Sequence, residues 1–371
     1  MYNNNNNMKN YAFISLLYPN KNKEWTYLEG AILTALGLRK QNTKYKIICM
    51  VTPDITDDIN NKLKIVYDEV IIVDYISPLE TAKIKINGNI FDKTIYENKN
   101  SYNDMCNIFT KLHIFDYKKF PYDKILFIDN DLIPLENFDD LFNIDVPAGW
   151  LEKILELETK QGDKYTRVWG TYNNIKHGEL IPKELTDIYK EPGRDINGGL
   201  LLIKPDNIIF NNMINELKKP INEWSNEKFE NKGTIDFNRN FTLKYVLPEQ
   251  SFLTQYFSGE WKMIDGKYCA WGKHNDEKIY GMHMAGLKYI IKGKWKNYKT
   301  WMVQIPVNDG FNEITNNVII WGFEKFPKLK DFLINNLFIY FADKLINLKD
   351  IDAFIYLHLI NHQKNIFDII S

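Results

Sequence analysis

Lys124-Ile125-Leu126-Phe127-Ile128-Asp129-Asn130-Asp131 is the stretch on which the reading of this chain turns. Ile125 to Ile128 is apolar without alternation, which reads as a strand buried on both faces, and the run ends abruptly at two carboxylates. In a parallel α/β sheet, ligands lie beyond the carboxyl ends of the strands, so Asp129 and Asp131 stand where a ligand would be. Carboxylate oxygens there can hold a divalent cation that bridges to a diphosphate and neutralises charge on a departing nucleotide. The plain alternative is a turn, because Asp and Asn favour turns.

Upstream, strands are expected at 11–17, 44–51 and 69–73, alternating with amphipathic helices at 25–39 and 55–67, and a helix at 108–117 precedes the quoted strand. Strands alternating with helices at this spacing indicate βαβ units and a mainly parallel sheet. Residues 87–103 are polar and read as a loop. Downstream, 151–193 is rich in Lys, Glu and Tyr without a sheet pattern, and reads as helix and loop inserted near the site. A strand at 198–203, closed by Lys204-Pro205, leads into a helix at 207–217. Leu329, Leu333, Leu337, Tyr340, Leu345 and Leu348 recur at helical spacing. The expected organisation is a disordered Asn-rich start at 1–9, one catalytic domain at 10–300, and a helical region at 301–371.

With 371 residues, 44% of them hydrophobic, the chain can bury a large core. Its formal net charge of −1 gives no general attraction to nucleic acid or anionic lipid, and neither is expected as a partner. Three cysteines, Cys49, Cys106 and Cys269, lie far apart with no CxxC pair, which fits a reducing compartment rather than a disulfide framework. The start lacks the apolar core of a signal peptide, and no apolar run approaches the roughly 20 residues that span a bilayer. A soluble, cytoplasmic protein is the expectation.

Further constellations point to the same chemistry. His283 lies in Gly281-Met282-His283-Met284-Ala285-Gly286; with two carboxylates it would make a set suited to manganese better than magnesium, although a packed core histidine is the plainer reading. Lys288, Lys292 and Lys294 follow and could neutralise phosphate, or simply form an exposed basic loop. Asn197-Gly198-Gly199, opening a strand, offers an amide and close backbone approach suited to sugar hydroxyls, although a plain turn before a strand is the default reading. Glu249-Gln250 at a helix start could face a sugar, or serve the helix dipole. GxGxxG, Walker, HExxH and Ser-His-Asp signatures do not occur.

Taken in order, these blocks resemble glycosyltransferase family 8, and within it the glycogenin-like members. The resemblance runs from Tyr11 to Trp295, through Met50 to Ile55, Val66 to Val70, Thr110 to Phe115, Tyr122 to Phe142, Asn197 to Leu200, Glu249 to Leu253 and His283 to Trp295. It implies a GT-A, Rossmann-like fold: a mixed, mainly parallel sheet flanked by helices, here with a C-terminal helical appendage. It also implies retaining transfer of a hexose, most simply glucose, from a UDP-sugar to a glycan or protein acceptor. The implied metal is Mn2+ or, in its place, Mg2+, bound by Asp129, Asp131 and His283. Leu16, Leu17 and Tyr27 would lie along the uridine, and Lys111 near the diphosphate or sugar. Asn130, Asn197, Gly198, Gly286 and Lys288 would complete the donor site, with Gln250 at the sugar and Glu249 near the anomeric carbon. A homodimer and self-glucosylation, with Tyr268 as acceptor, follow from the same resemblance. The chain departs from the family where Asn130 replaces a small residue, where Glu249 replaces an aspartate, and where the phosphate lysine falls at either Lys288 or Lys294. The rival readings are a catalytically silent carbohydrate-binding protein on the same fold and a sugar nucleotidyltransferase. The latter should carry a Gly-rich loop after the first strand, which Leu17-Tyr18-Pro19-Asn20 does not supply.

Overall fold

Residues 9–19, 25, 27–77, 84–86, 89–91, 107–151, 153–157, 166–170, 174–187, 195–218, 248–270, 278–283, 318, 321–322 and 325–329 are described by the computed structural model. Strands β1 (Tyr11–Leu17) and β2 (Lys46–Val51) are buried along almost their whole length, as uniformly apolar strands must be when both sheet faces are covered. Helix α1 (Leu28–Lys40) crosses between them, and helix α2 (Asp57–Val66) joins β2 to β3 (Glu69–Ile72). β1 pairs β2 and β2 pairs β3, both parallel. Thr56 caps α2 by accepting from the Ile59 amide, and Ile59, Leu63 and Val66 form its buried stripe.

α1 is buried nearly all round, from Leu28 to Leu38. One side lies close to a later strand: a Cβ on Gly37 would stand 2.6 Å from the carbonyl oxygen of Pro134. Gly322, in the short described stretch near the C-terminus, meets Leu36, where a Cβ would lie 2.8 Å from Cδ1. Both glycines are close-approach points.

Two short antiparallel hairpins stand outside the main sheet. One pairs β4 (Ile84–Ile86) with β5 (Asn89–Phe91), so part of the expected 87–103 loop is strand. The expected helix at 108–117 is a 3-10 stretch, Asn107–Phe115, buried from Phe109 to Phe115. β6 (Lys124–Ile128) is the quoted strand; it pairs β1 in parallel, and Ile125 to Ile128 have no exposed surface. Burying each such side chain contributes about 1.5–3 kcal/mol. β7 (Leu132–Pro134) follows directly, and β8 (Ala148–Leu151) lies further out. The second hairpin, β9 (Lys153–Leu157) with β10 (Thr166–Gly170), occupies a region expected to be helix and loop. Lys153 to Leu157 alternates only weakly and so gives no period-2 signal.

β11 (Ile196–Ile203) pairs antiparallel with both β6 and β8, and its start is two residues earlier than the sequence suggests. Asp206 caps α3 (Asn207–Leu217), its side chain accepting from the amides of Ile208 and Ile209. α4 (Pro248–Tyr256) begins with proline, which suits a first helical turn. β12 (Lys262–Met263) and β13 (Gly281–His283) close the set. The main sheet runs β12-β8-β11-β6-β1-β2-β3, with four parallel and two antiparallel neighbour pairs. This is the mixed, mainly parallel GT-A sheet expected from the sequence. β13 pairs β7, which sets His283 opposite Leu132, one residue past Asp131. Among the described residues, no helix is long and apolar enough to cross a membrane. The Asn-rich residues 1–8 and most of 301–371 lie outside the described residues.

Candidate active site

The carboxyl ends of β1 and β6 open on a cleft with about 490 Å³ of empty space, mouth included. Leu16, Tyr18, Tyr27 and Ile108 give it an apolar wall, while Lys111, Asp129, Asn130 and Asp131 supply the polar side. Strand alternation separates two candidates from one another. Leu16 lines the cleft, whereas Leu17 is buried in the core at 1% exposure and is not among the lining residues.

The Asp129-Asn130-Asp131 segment is a turn as well as a site. The Leu132 amide donates to the Asp129 carbonyl (3.0 Å), and the Asp129 amide donates to Gly199 on β11 (2.9 Å). Asn130 Nδ2 donates to the Leu16 carbonyl (2.6 Å), tying this turn to the end of β1. The middle position that usually carries a small residue is therefore used here as a brace. The other end of that amide, Asn130 Oδ1, is buried with no hydrogen-bond partner among the described residues.

Lys111 is the hub. Its ammonium, on a side chain 1% exposed, lies 2.8 Å from Glu249 Oε1, 2.9 Å from the Gly198 carbonyl and 3.4 Å from Asp129 Oδ1. Burial opposes the charge on Lys111, but Asp129 and Glu249 outweigh it and hold the pKa above the ordinary lysine value. Asp129 is pushed up to about 6, first by burial and then by the like charges of Asp131 and Glu249, with Lys111 and His283 pulling the other way. Its side chain remains 30% exposed toward the cleft, so it is enclosed by charged groups yet reachable by a ligand.

Asn197, Gly198 and Gly199 lie inside β11 rather than before it. The pairing of β11 with β8 is irregular between Ile196 and Leu201, which lets this segment turn toward the site. The Gly198 amide donates to Gln250 Oε1 (2.8 Å), and the Gly199 amide to Asn197 Oδ1 (2.8 Å). A Cβ on Gly198 would stand 2.8 Å from Glu249 Oε1, so glycine permits this approach. Glu249 and Gln250, in the first turn of α4, are 5% and 7% exposed. The oxygen of Asn197 is thus spent on the backbone rather than left for a sugar.

His283 Nε2 lies 3.3 Å from Asp131 Oδ1, and its Nδ1 lies 3.3 Å from Cys269 Sγ. Burial lowers its basicity, but Cys269 and Asp131 outweigh burial and raise its pKa well above the usual histidine value. A Cβ on Gly199 would stand 3.0 Å from His283 Cε1 and 3.3 Å from Asp129 Oδ2, so Asp129 and His283 both lie against Gly199, and Asp131 lies on the Nε2 side of His283. Among the described residues, no three His, Cys, Asp or Glu side chains already form a metal-holding group. Asp131 and His283 face each other, and Asp129 faces Lys111. Their two carboxylates and one imidazole are nevertheless the donor set that a borderline divalent cation takes, and each is held by a partner that a cation could replace.

Gly286, Lys288, Lys292 and Lys294 lie outside the described residues. Tyr268 is 4% exposed and packs edge-on against Phe138 and Tyr280 and in parallel with His177. Tyr18, Ile108 and Cys269 were not singled out as site residues. Tyr18 could have been found from its position directly after β1, but a single cysteine 14 residues from a histidine carries no local signal.

Comparison with known proteins identifies the family. The model of the family described as Glycosyl transferase family 8 matches residues 22–285. Uncharacterized protein R707 of Acanthamoeba polyphaga mimivirus is 27% identical over 288 residues, covering 73% of this chain and 86% of that protein. Galactinol synthase 1 of Arabidopsis thaliana is 23% identical, covering 77% of this chain and 78% of its own. Glycogenin-1 of Homo sapiens is 27% identical over a shorter stretch, 37% of this chain and 33% of its own. Among solved structures, the galactosyltransferase LgtC, bound to donor and acceptor sugar analogs, superposes with a TM-score of 0.42 at 12% identity, covering 82% of this chain and 95% of that one. The family match spans most of the chain and takes in β6, the Asp129-Asn130-Asp131 turn, β11, the Glu249-Gln250 pair and His283, so the chain belongs to glycosyl transferase family 8.

Proposed function

We propose that this glycosyltransferase moves a hexose from a UDP-sugar to an acceptor hydroxyl, on a glycan or a protein, with retention at the anomeric centre. One observation carries the reading: the buried Lys111 ammonium joins Asp129, on the polar side of the cleft, to Glu249 and Gly198, beside the amide of Gln250. That lysine stands between the apolar wall of the cleft, suited to a nucleobase, and the polar groups of Gly198, Glu249 and Gln250.

In this reading Leu16, Tyr18 and Tyr27 flank the uracil, and Asn130 holds the wall and the aspartate turn in register. Asp129, Asp131 and His283 would hold Mn2+, which when bound supplies charge neutralisation at the diphosphate. Lys111 adds a fixed positive charge at the same end. Gly198 takes up the Gln250 oxygen, so Gln250 offers a sugar its amide NH2. Glu249 is engaged by Lys111 and acts in placing that cation, and a donor phosphate oxygen takes the acceptor proton. Tyr268 is packed among aromatic rings, so an external acceptor fits better than self-glucosylation at that hydroxyl.

Glucose is the first donor reading. Galactose is the second, favoured because galactinol synthase 1 aligns over 77% of this chain, against 37% for glycogenin-1. The test is UDP release from UDP-glucose and UDP-galactose, with Mn2+ or EDTA, in the wild type and Asp131→Ala. Metal-dependent turnover that disappears in the variant is expected. An absence of turnover with any UDP-sugar would favour a silent carbohydrate-binding protein, and an inverted product would remove the retaining assignment.

A further inference from the structure

Behind His283 lies a second row of buried groups. Cys269 Sγ is 3.3 Å from His283 Nδ1 and 3.6 Å from Asn197 Oδ1. Cys269 and Asn197 are 0% and 3% exposed. The Gly199 amide donates to Asn197 Oδ1, which identifies that atom as the amide oxygen and therefore as an acceptor only. A thiol has a single proton. With that proton directed at Asn197 Oδ1, the sulfur presents lone pairs to Nδ1, which must then carry a hydrogen. Nε2 is the nitrogen on the side of Asp131, and so the one that a cation bound there would meet.

We propose that Cys269 is a positioning residue for the cation site, its sulfur oriented by Asn197 and holding the His283 ring with Nε2 toward Asp131. The backbone does not depend on this contact. The His283 amide donates to the Ala270 carbonyl (2.9 Å) and the Cys269 amide to Gly266 (3.0 Å). Loss of the sulfur should therefore release the ring while leaving β13 in place. Groups behind a metal-bound histidine that fix its ring typically change metal affinity by about 10- to 100-fold.

This inference rests on the cation site proposed above, and its test separates the two. Mn2+ uptake is measured on purified protein from the electron paramagnetic resonance of the free aqua ion, with no substrate present. Wild type should bind, Cys269→Ala should bind about 10- to 100-fold more weakly, and Cys269→Ser, which keeps one donor and an acceptor, should stay within about 3-fold of wild type. The rise in melting temperature on adding Mn2+ should shrink in Cys269→Ala, whereas a purely structural defect would lower the melting temperature equally with Mn2+ and with EDTA. Should the alanine variant not fold, Cys269→Val carries the same expectation. Wild-type affinity in Cys269→Ala or Cys269→Val, or an equal loss in Cys269→Ser, would overturn the positioning role. No Mn2+ uptake by the wild type would overturn the cation site itself, and this inference with it.

Discussion

Lys111 and Glu249 form a buried ion pair, 2.8 Å between Nζ and Oε1, across 138 positions of sequence. Because Asp129 shares the same ammonium, removing the lysine leaves two acidic groups close together with that cation gone.

Lys111→Met should therefore cost about 3–5 kcal/mol, the range for breaking a buried pair on one side only. Urea unfolding of the variant, read by circular dichroism, checks the stability; UDP release checks the accompanying loss of turnover. A midpoint close to that of the wild type would show that Glu249 finds another partner.

Gly199→Ala tests the crowding at the centre of the site. The new Cβ would stand 2.9 Å from Asn197 Oδ1 and 3.0 Å from His283 Cε1, so the Asn197 side chain must shift and the imidazole give by a few tenths of an ångström. Overpacking of this kind costs about 1–3 kcal/mol, and a misplacement of about 1 Å at a reacting centre costs ~10²-fold in rate, so the smaller shift should cost less than that. The expected signature is a variant that folds but whose kcat/KM falls, by less than about 10²-fold.

Cation binding should stabilise the fold, since it binds the native state alone. At 100 times the dissociation constant the gain is about 2.7 kcal/mol. Differential scanning calorimetry with Mn2+ and with EDTA should show the difference in wild type. It should be absent in Asp131→Ala, which loses one proposed donor and the partner of His283.

A pH effect follows from His113, on the same 3-10 stretch as Lys111. Its Nε2 is 2.9 Å from the Asp74 carbonyl, its Nδ1 is buried without a partner among the described residues, and burial holds its pKa below the usual value near 6.5. Between that depressed value and about 6.5, the unfolded chain binds a proton that the native state refuses. Stability therefore rises with pH through this window, is level above it, and carries the full penalty below the native pKa. His113→Gln should flatten the melting-temperature difference between pH 5.5 and 7.5 relative to wild type; an unchanged difference would assign the effect to other groups.

The parallel half of the sheet was legible because β1, β2 and β6 are apolar runs broken only by Ser15 and by a leading lysine in β2 and β6, a pattern that suits a doubly covered strand. Asp129, Asp131 and His283 stood out through their order along the chain, and of these Asp131 and His283 do meet. Residues 107–115 carry an apolar pattern that 3-10 and α geometry share, so the helix type was not readable. Asn197-Gly198-Gly199 looked like a turn because Asn and Gly mark turns, yet the irregular pairing of β11 absorbs them. Cys269 could not be found at all, since its importance lies in what a different strand brings within 3.3 Å of it.

β11 runs against its neighbours, and that direction has a kinetic consequence. Its early residues reach the edge where β1 and β6 end, so the groups around Gly198 come from segments 87 and 138 positions apart in hydrogen-bonded partners. Contacts of such range close late in folding, after long loops have been ordered. A chain emerging from the ribosome would complete β1, β2 and β6 while still lacking any place for a sugar. Ligand-binding capacity should consequently appear in a refolding experiment with the slowest phase, making it a reporter on the last step of assembly.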